Sequence, residues 1–428
     1  MLPSGPSGAP VKFVHAADLH LDSPLRGLER YEGAPVDELR GATRRALGNL
    51  VTLCLDERAD FLLIAGDLYD GTWRDYKTGL FFAAQMSRLR EASIPVFLVS
   101  GNHDAESHVG RALKLPDNVH ELGTKAPVTD DATLAHLGVA IHGQGFAHKA
   151  VTADLAAGYP DRLPDRFNIG LLHTSLDGRE GHAPYAPCTV ATLAGKGYDY
   201  WALGHVHRRE VICEAPWIVF PGNLQGRHAK ETGEKGATLV TVEEGRVAVE
   251  ARALDVVRWA AIEVDAATAA GAEEVVERAR EALAKAVARA EGRTVAARVT
   301  VVGTSAAHGA LSGSPERWES ELRAAATDVG GVWLERVRFA TRTPLDLPRL
   351  AERDDPIGAL LRSLGGLRGD EAALRELGRE LGEMARLPHE LREGDDAVLR
   401  DDPEALRALV DDVEQLLLPR LLGGERAP

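Results

Sequence analysis

Cysteine is scarce in this chain: among 428 residues the only thiols are Cys54, Cys188 and Cys213, far apart in sequence. That number and spacing exclude a disulfide framework and a thiolate metal site, and they fit a reducing cytoplasm. No apolar run comes near the roughly 20 residues of a bilayer span, so no membrane partner is expected. The opening Met1-Leu2-Pro3-Ser4-Gly5-Pro6-Ser7-Gly8-Ala9-Pro10 lacks a basic start and an apolar core, which speaks against a secretory signal. Residues 1–10 read as a disordered lead. Cationic charge is also short. The net charge is −15, the wrong sign for non-specific binding to nucleic acid. Nearly half of the excess lies at the end, where Thr341 to Pro428 hold 13 Arg, no Lys and 20 Asp and Glu. An acidic tail of this kind is a solvated face or a protein-docking surface.

What is present is a repeated strand-and-turn layout. Pro95 opens the run Val96-Phe97-Leu98-Val99, short and apolar as a strand buried on both faces would be. Ser100-Gly101 ends it in front of Asn102, His103 and Asp104. Taken alone, that turn also reads as a polar cap for the next helix. The layout recurs, however. Val11–Ala16 reads as a strand ending in Ala17-Asp18-Leu19-His20, and Phe61–Ala65 as one ending in Gly66-Asp67. Phe167–Leu172 ends in His173-Thr174-Ser175, and Tyr198–Leu203 runs into Gly204-His205-Val206-His207. Leu39–Ala59 and Tyr76–Glu91 carry helical spacing between the first three strands. Parallel strands joined by right-handed crossovers bring their carboxyl ends together, where open α/β sheets bind ligands. Asp18 and His20, two apart, point the same way in extended chain, as do His205 and His207.

Length predicts two or three domains. Residues 11–256 carry the repeated layout, with further strands at Leu137–Ile141 and Trp217–Phe220 and a closing hairpin around Glu244-Gly245. Residues 257–341 alternate strands (Ala260–Val264, Thr294–Val302, Val332–Phe339) with helices (Ala267–Glu291, Glu316–Thr327), with Gly303–Pro315 as a loop and Thr341–Leu345 as a linker. Residues 342–428 read as helical. Leu374, Leu377, Leu381, Met384 and Leu387 share one face, and Leu406, Leu409, Val410, Val413, Leu416, Leu417 and Leu421 share another. The two helices either pack together or form a groove for a partner's helix.

The five strand ends together supply Asp18, His20, Asp67, Asn102, His103, Asp104, His173, His205 and His207. Oxygen and imidazole donors without thiolate suit Mn²⁺, Fe or Zn²⁺. Two ions about 3.5–4 Å apart need a shared carboxylate, and Asp67 stands centrally in chain order. One ion would take Asp18, His20 and His207, the other Asn102, His173 and His205. A water between them loses its proton near neutral pH and attacks a phosphoester. His103 is left to stabilise the transition state or protonate the leaving oxygen, with Asp104 fixing its tautomer.

Asp-Leu-His, Gly-Asp, Gly-Asn-His-Asp, His-Thr-Ser and Gly-His-Val-His, in that order, resemble the calcineurin-like metallophosphoesterase superfamily. Ala16–Leu25 is similar to the SbcD-type DNA-repair nuclease branch. Pro221–His228, followed by Glu231–Gly236, resembles the YhaO-type subgroup within it. The resemblance implies an α/β fold: a metallophosphoesterase β-sandwich flanked by helices, with a small α+β capping domain and a C-terminal helical segment. It also implies two divalent ions, Mn²⁺ foremost, and exonuclease or endonuclease action on DNA. Asp22, His108, Asn223, Arg227 and His228 become candidate substrate contacts. The C-terminal helices become the contact for an SMC-like coiled-coil ATPase, and a homodimer is implied. Gly66-Asp67-Leu68-Tyr69-Asp70-Gly71 lacks the Arg that protein phosphatases carry after the second Asp. A phosphoesterase on small diesters or nucleotides is the alternative.

Overall fold

The computed structural model describes residues 10–23, 38–39, 41–70, 76–106, 114–178, 185–383 and 402–423. Among them the chain divides into two compact units. One is Met1–Ala261 with Ala286–Ala297 and Gly331–Glu335; the other is Ile262–Lys285 with Arg298–Gly330 and Arg336–Pro428.

Up to residue 253 the strands are, in chain order, β1 (Val11–Ala16), β2 (Phe61–Ala65), β3 (Val96–Val99), β4 (Val119–Glu121), β5 (Val128–Asp130), β6 (Val139–Gln144), β7 (Phe167–His173), β8 (Tyr200–Gly204), β9 (Glu210–Glu214), β10 (Trp217–Phe220), β11 (Gly236–Glu243) and β12 (Arg246–Ala253). Helix α1 (Ala42–Asp56) joins β1 to β2, α2 (Tyr76–Glu91) joins β2 to β3, and α3 (Val190–Gly195) precedes β8. Two six-stranded sheets result, ordered β12-β11-β1-β2-β3-β4 and β5-β6-β7-β8-β10-β9. The runs β1 to β4 and β6-β7-β8-β10 are parallel, with antiparallel strands at the edges.

Period-2 alternation assigns the layers. From β1 and β2, Val14, Ala16, Leu62 and Ile64 face α1 and α2, where Ala46, Leu47, Leu50 and Phe82 complete a core. Phe13, Phe61, Leu63 and Ala65 face the other way, and with Phe97, Ile141, Ile169 and Tyr200 they fill the space between the sheets. There Phe13 stacks on Phe61 at 4.9 Å and Phe97 meets Phe61 edge-on at 6.3 Å. The outer face of the second sheet carries Trp201 and Leu203 against Leu193 of α3. Parallel pairing therefore places the ends of β1, β2, β3, β7 and β8 along one edge of the sandwich.

In the remainder, β13 (Val257–Asp265), β14 (Thr294–Thr304) and β15 (Val332–Arg342) form a three-stranded sheet in that order. Helices α4 (Ala272–Arg289), α5 (His308–Gly313) and α6 (Pro315–Val329) lie between them in sequence, followed by α7 (Leu347–Ala351), α8 (Pro356–Gly369), α9 (Glu371–Glu383) and α10 (Pro403–Gly423). Leu374 of α9 packs with Leu406 and Val410 of α10, and Leu418 packs on Ile357 and Leu361 of α8. The two acidic helices thus bury apolar residues against their own neighbours, while Val413 and Leu421 stay exposed. Met384 and Leu387 lie outside the described residues, as do residues 1–9. No helix among the described residues is long and apolar enough to cross a membrane.

Several boundaries differ from the sequence reading for local reasons. Ala135–Leu137 is a 3-10 turn closed by Gly138 at φ 68°, so β6 begins only at Val139. The Gly/Ser-rich stretch read as a loop contains α5, and Thr341 and Arg342 belong to β15 rather than to a linker. β4 and β5 have three residues each, none of them buried, too short to show any alternation.

Phe61 is fully buried between two aromatic neighbours of the inter-sheet core. Phe61→Ala is expected to cost about 3–5 kcal/mol of stability, the range for a large buried aromatic whose site cannot collapse. Urea denaturation measures it; a loss under about 1 kcal/mol, well below that range, would mean that the two sheets close over the gap.

Candidate metal centre

Four histidines, two aspartates and one asparagine come together where the two sheet edges meet. His173, at the end of β7, donates from Nδ1 to the Ala65 carbonyl of β2 (2.9 Å) and turns Nε2 towards Asn102 Oδ1 (3.0 Å). Burial holds the His173 imidazole down at about 3, so Nε2 carries a lone pair. Two lone pairs therefore face each other. A few ångströms away, His207 donates from Nδ1 to Glu231 Oε1 (2.6 Å), which leaves its Nε2 as a lone-pair nitrogen 3.2 Å from His20 Nε2. Burial, with Arg227 adding, holds His20 well below the usual imidazole range, and its Nδ1 is buried without a hydrogen-bond partner. Asp67 stands between the two pairs, with Oδ2 3.5 Å from His173 Nε2 and 3.8 Å from His20 Nε2. Asp18 Oδ1 lies 3.9 Å from His207 Nε2.

Burial, reinforced by the neighbouring Asp67, pushes the Asp18 carboxyl well above the usual range; burial also raises Asp67. A dry cluster of two carboxylates and facing lone pairs is unfavourable by itself and suits a hard-to-intermediate divalent cation. The donors fall into three tight groups: Asp18 with His20 and His207, Asp18 with Asp67 and His173, and His20 with Asp67 and His103. These residues fit two ions, with Asp67 in the shared position. His205 belongs to none of the three groups. Its ring packs on those of His173 (5.2 Å) and Tyr185 (5.6 Å), and its backbone N–H donates to Asp18 (2.9 Å).

The convergence does not come from extended chain. Asp18, His20, Asp67 and His205 all have left-handed backbone, with φ of 51°, 43°, 51° and 104°. Asp18 and His20 are turned by hydrogen bonds from their N–H groups to Gly66 and Asp67 carbonyls (3.0 Å each). For residues with a Cβ such conformations cost on the order of 1 kcal/mol each, and they concentrate where function fixes the backbone. Gly101 is obligatory for a different reason: a Cβ there would lie 2.2 Å from Asp67 Oδ1.

His103, the fourth histidine of the cluster, has a half-buried ring, and its backbone N–H donates to Asp67 Oδ1 (2.9 Å). The carboxylate that holds the ring is Asp70, with Nδ1 to Oδ1 at 3.0 Å, and it raises the His103 pKa. This corrects the role expected for Asp104. Its carboxylate accepts from the backbone N–H groups of Leu68, Tyr69 and Gly101 (3.0–3.1 Å), so it locks two strand-end turns together. Burial works to raise Asp70, but the hydrogen bonds from His103 and Ser23 and the charge of Arg227 hold it at about 2.

Of the expected substrate contacts, Arg227 is at the cluster. Its guanidinium reaches Ser23 Oγ (3.3 Å), Asp70 Oδ2 (3.7 Å) and Glu231 Oε1 (3.9 Å). His228 is exposed, with Nε2 3.5 Å from Glu231. Asp22 is corrected: its carboxylate is taken by Arg44 and Thr78, which tie the end of β1 to α1 and α2. Asn223 is fully buried, and its amide donates to Gln225 O and Glu231 Oε2 (2.9 Å each), so it shapes its own turn. His108 lies outside the described residues. Asp70 and Glu231 were the residues that the sequence reading missed, although both sit in motifs it singled out.

Residues 11–209 match the calcineurin-like phosphoesterase family, and residues 259–342 match the middle domain of the metallophosphoesterase YhaO. The chain is 36% identical over 295 residues to the uncharacterized metallophosphoesterase YhaO of Bacillus subtilis (strain 168), spanning 68% of this chain and 72% of that protein. Among solved structures it is similar to TT1561 of Thermus thermophilus, with 16% identity, 57% of this chain, 99% of that chain and a TM-score of 0.33. A dimetal phosphatase from Danio rerio matches with 12% identity, 57% and 96% coverage and a TM-score of 0.35. On the strength of the Bacillus relative and the motif-bearing residues 11–209, the chain belongs to the calcineurin-like metallophosphoesterase family.

Proposed function

We propose that this protein is a two-metal phosphodiesterase acting on DNA, a nuclease of the SbcD type. The observation that carries the hydrolytic reading is the His173 Nε2 lone pair set against Asn102 Oδ1, and the His207 Nε2 lone pair set against His20 Nε2, on either side of Asp67 Oδ2. Asp18, His20, Asp67, Asn102, His173, His205 and His207 would hold two divalent ions, Mn²⁺ foremost. Bound there, the ions would supply Lewis-acid charge to phosphoryl oxygens and lower the pKa of a water.

The chain's own groups do the rest. Asp70 accepts from His103 Nδ1 (3.0 Å) and raises the His103 pKa, which favours the imidazolium, whose Nε2–H is the proton given to the leaving oxygen. The attacking water, having lost one proton to solvent, forms the new P–O bond as the old one breaks, and the departing alkoxide takes the Nε2 proton of His103. Arg227, anchored by Ser23, Asp70 and Glu231, places a guanidinium where phosphate charge must be met. A DNA substrate fits the exposed Arg208 directly after His207 and the exposed His228 directly after Arg227. On the same reading the exposed Val413 and Leu421 of α10 belong to the contact with an SMC-like ATPase.

Three results are expected. Mn²⁺-dependent degradation of linear DNA should appear alongside hydrolysis of bis-p-nitrophenyl phosphate. Cleavage of small diesters or cyclic AMP alone, with the ATPase partner present or absent, would leave the small-substrate reading instead. Asp67→Ala should lose bound metal and turnover together, and two ions still found by elemental analysis would remove Asp67 from the shared position. His103→Gln should retain metal while turnover falls by about 10²–10⁴-fold, the scale of a lost proton-transfer group; near-normal turnover would exclude it as the acid.

A further inference from the structure

Glu231 bonds to several of the groups that shape the cluster, yet it supplies none of the cluster's donors. It is almost fully buried, at 8% exposure. Oε1 accepts from His207 Nδ1 at 2.6 Å. Oε2 accepts from the side-chain amide of Asn223 (2.9 Å) and from the backbone N–H of Arg227 (2.7 Å). Four residues on, Lys235 Nζ donates to the His207 carbonyl at 2.7 Å. One short segment thus grips His207 at both its ring and its main chain, and the same carboxylate closes the turn that delivers Arg227.

Consider what happens without that carboxylate. A neutral imidazole carries one proton on either nitrogen, and the partner of one nitrogen decides which. If His207 lost its acceptor at Nδ1, the proton could move to Nε2 and point at His20 Nε2, 3.2 Å away. The nitrogen needed as a donor would then be blocked. We propose that Glu231 is the positioning residue of this centre: it fixes Nε2 of His207 as the lone-pair nitrogen and, with its other oxygen, sets the Asn223–Arg227 turn. The inference rests on the metal reading above and adds a residue to it; Glu231 touches neither ion nor substrate. Carboxylate–histidine–metal arrangements lose about 10–100-fold in metal affinity when the outer carboxylate is removed.

The test uses the full-length protein labelled with ¹⁵N-histidine, with His207→Asn identifying the His207 signals. Metal-free wild type should show His207 protonated at Nδ1 and not at Nε2; protonation at Nε2 overturns the proposal even if Glu231→Gln does not fold. Mn²⁺ titration by calorimetry should then show two sites in wild type. In Glu231→Gln, one of them should weaken by about 10–100-fold while the other stays within a factor of about three. Two unchanged sites in Glu231→Gln overturn the proposal and leave the metal centre standing. Wild type that binds no Mn²⁺ overturns the metal reading itself, and this inference with it.

Discussion

The closeness of the two sheet edges is the constraint on which the rest depends. Gly204, ending β8, lies so near the end of β2 that a Cβ on it would stand 1.8 Å from the Ala65 carbonyl oxygen. No side chain fits there, and none separates the two strands at this point. That approach lets His173 of one sheet bond the Ala65 carbonyl of the other and lets the His205 N–H reach Asp18. The ligand set is therefore a property of the interface between sheets. The inter-sheet core of Phe13, Phe61, Phe97 and Tyr200 holds the two edges at the distance the site needs.

That geometry is costly in the free protein. Asp18 and Asp67 are both almost fully buried, and burial raises both carboxyls. Left-handed backbone at Asp18, His20 and Asp67, and at the neighbouring His205, adds strain. Within the cluster the backbone N–H groups of His103 and His205 offset only part of this for Asp67 and Asp18, because burial holds the His20 and His173 imidazoles neutral. The opposing contribution comes from the aromatic core beneath and from carboxylates set one layer out, Asp70, Asp104 and Glu231, each satisfied by several donors. Cation binding would then relieve charge and lone-pair repulsion together, which is how metal affinity becomes folding stability in sites of this kind.

Much of this was legible in the sequence, but not always for the right reason. Apolar runs ending in Asp, Asn or His located the strands and their carboxyl ends, because parallel strands buried on both faces leave an unambiguous pattern. The pairing of Asp18 with His20 was expected from same-side spacing in extended chain, whereas left-handed turns produce it. Asp104, next to His103 in the chain, was expected to fix its tautomer. Space gives that role to Asp70, since a residue next in chain cannot easily fold its carboxylate back onto its neighbour's ring, while Asp104 is drawn to three backbone N–H groups. Asp22 lay inside a suggestive motif, yet Arg44 and Thr78 reach it first. Glu231 could be read only as part of a motif, because its partner His207 lies 24 residues upstream.

The remaining tension is between an acidic chain and an anionic substrate, and ionic screening resolves much of it. At physiological ionic strength charges interact over about 8 Å, so a phosphate at the cluster responds to its immediate walls rather than to the net −15. About half of that excess belongs to the segment after Thr341, which supplies no residue of the cluster. Among the described residues, the guanidinium that reaches the cluster is that of Arg227, held by Asp70 and Glu231. Those two anions also hold His103 and His207. A single arginine between two carboxylates is a weak anion trap by itself, and it places charge without supplying much attraction.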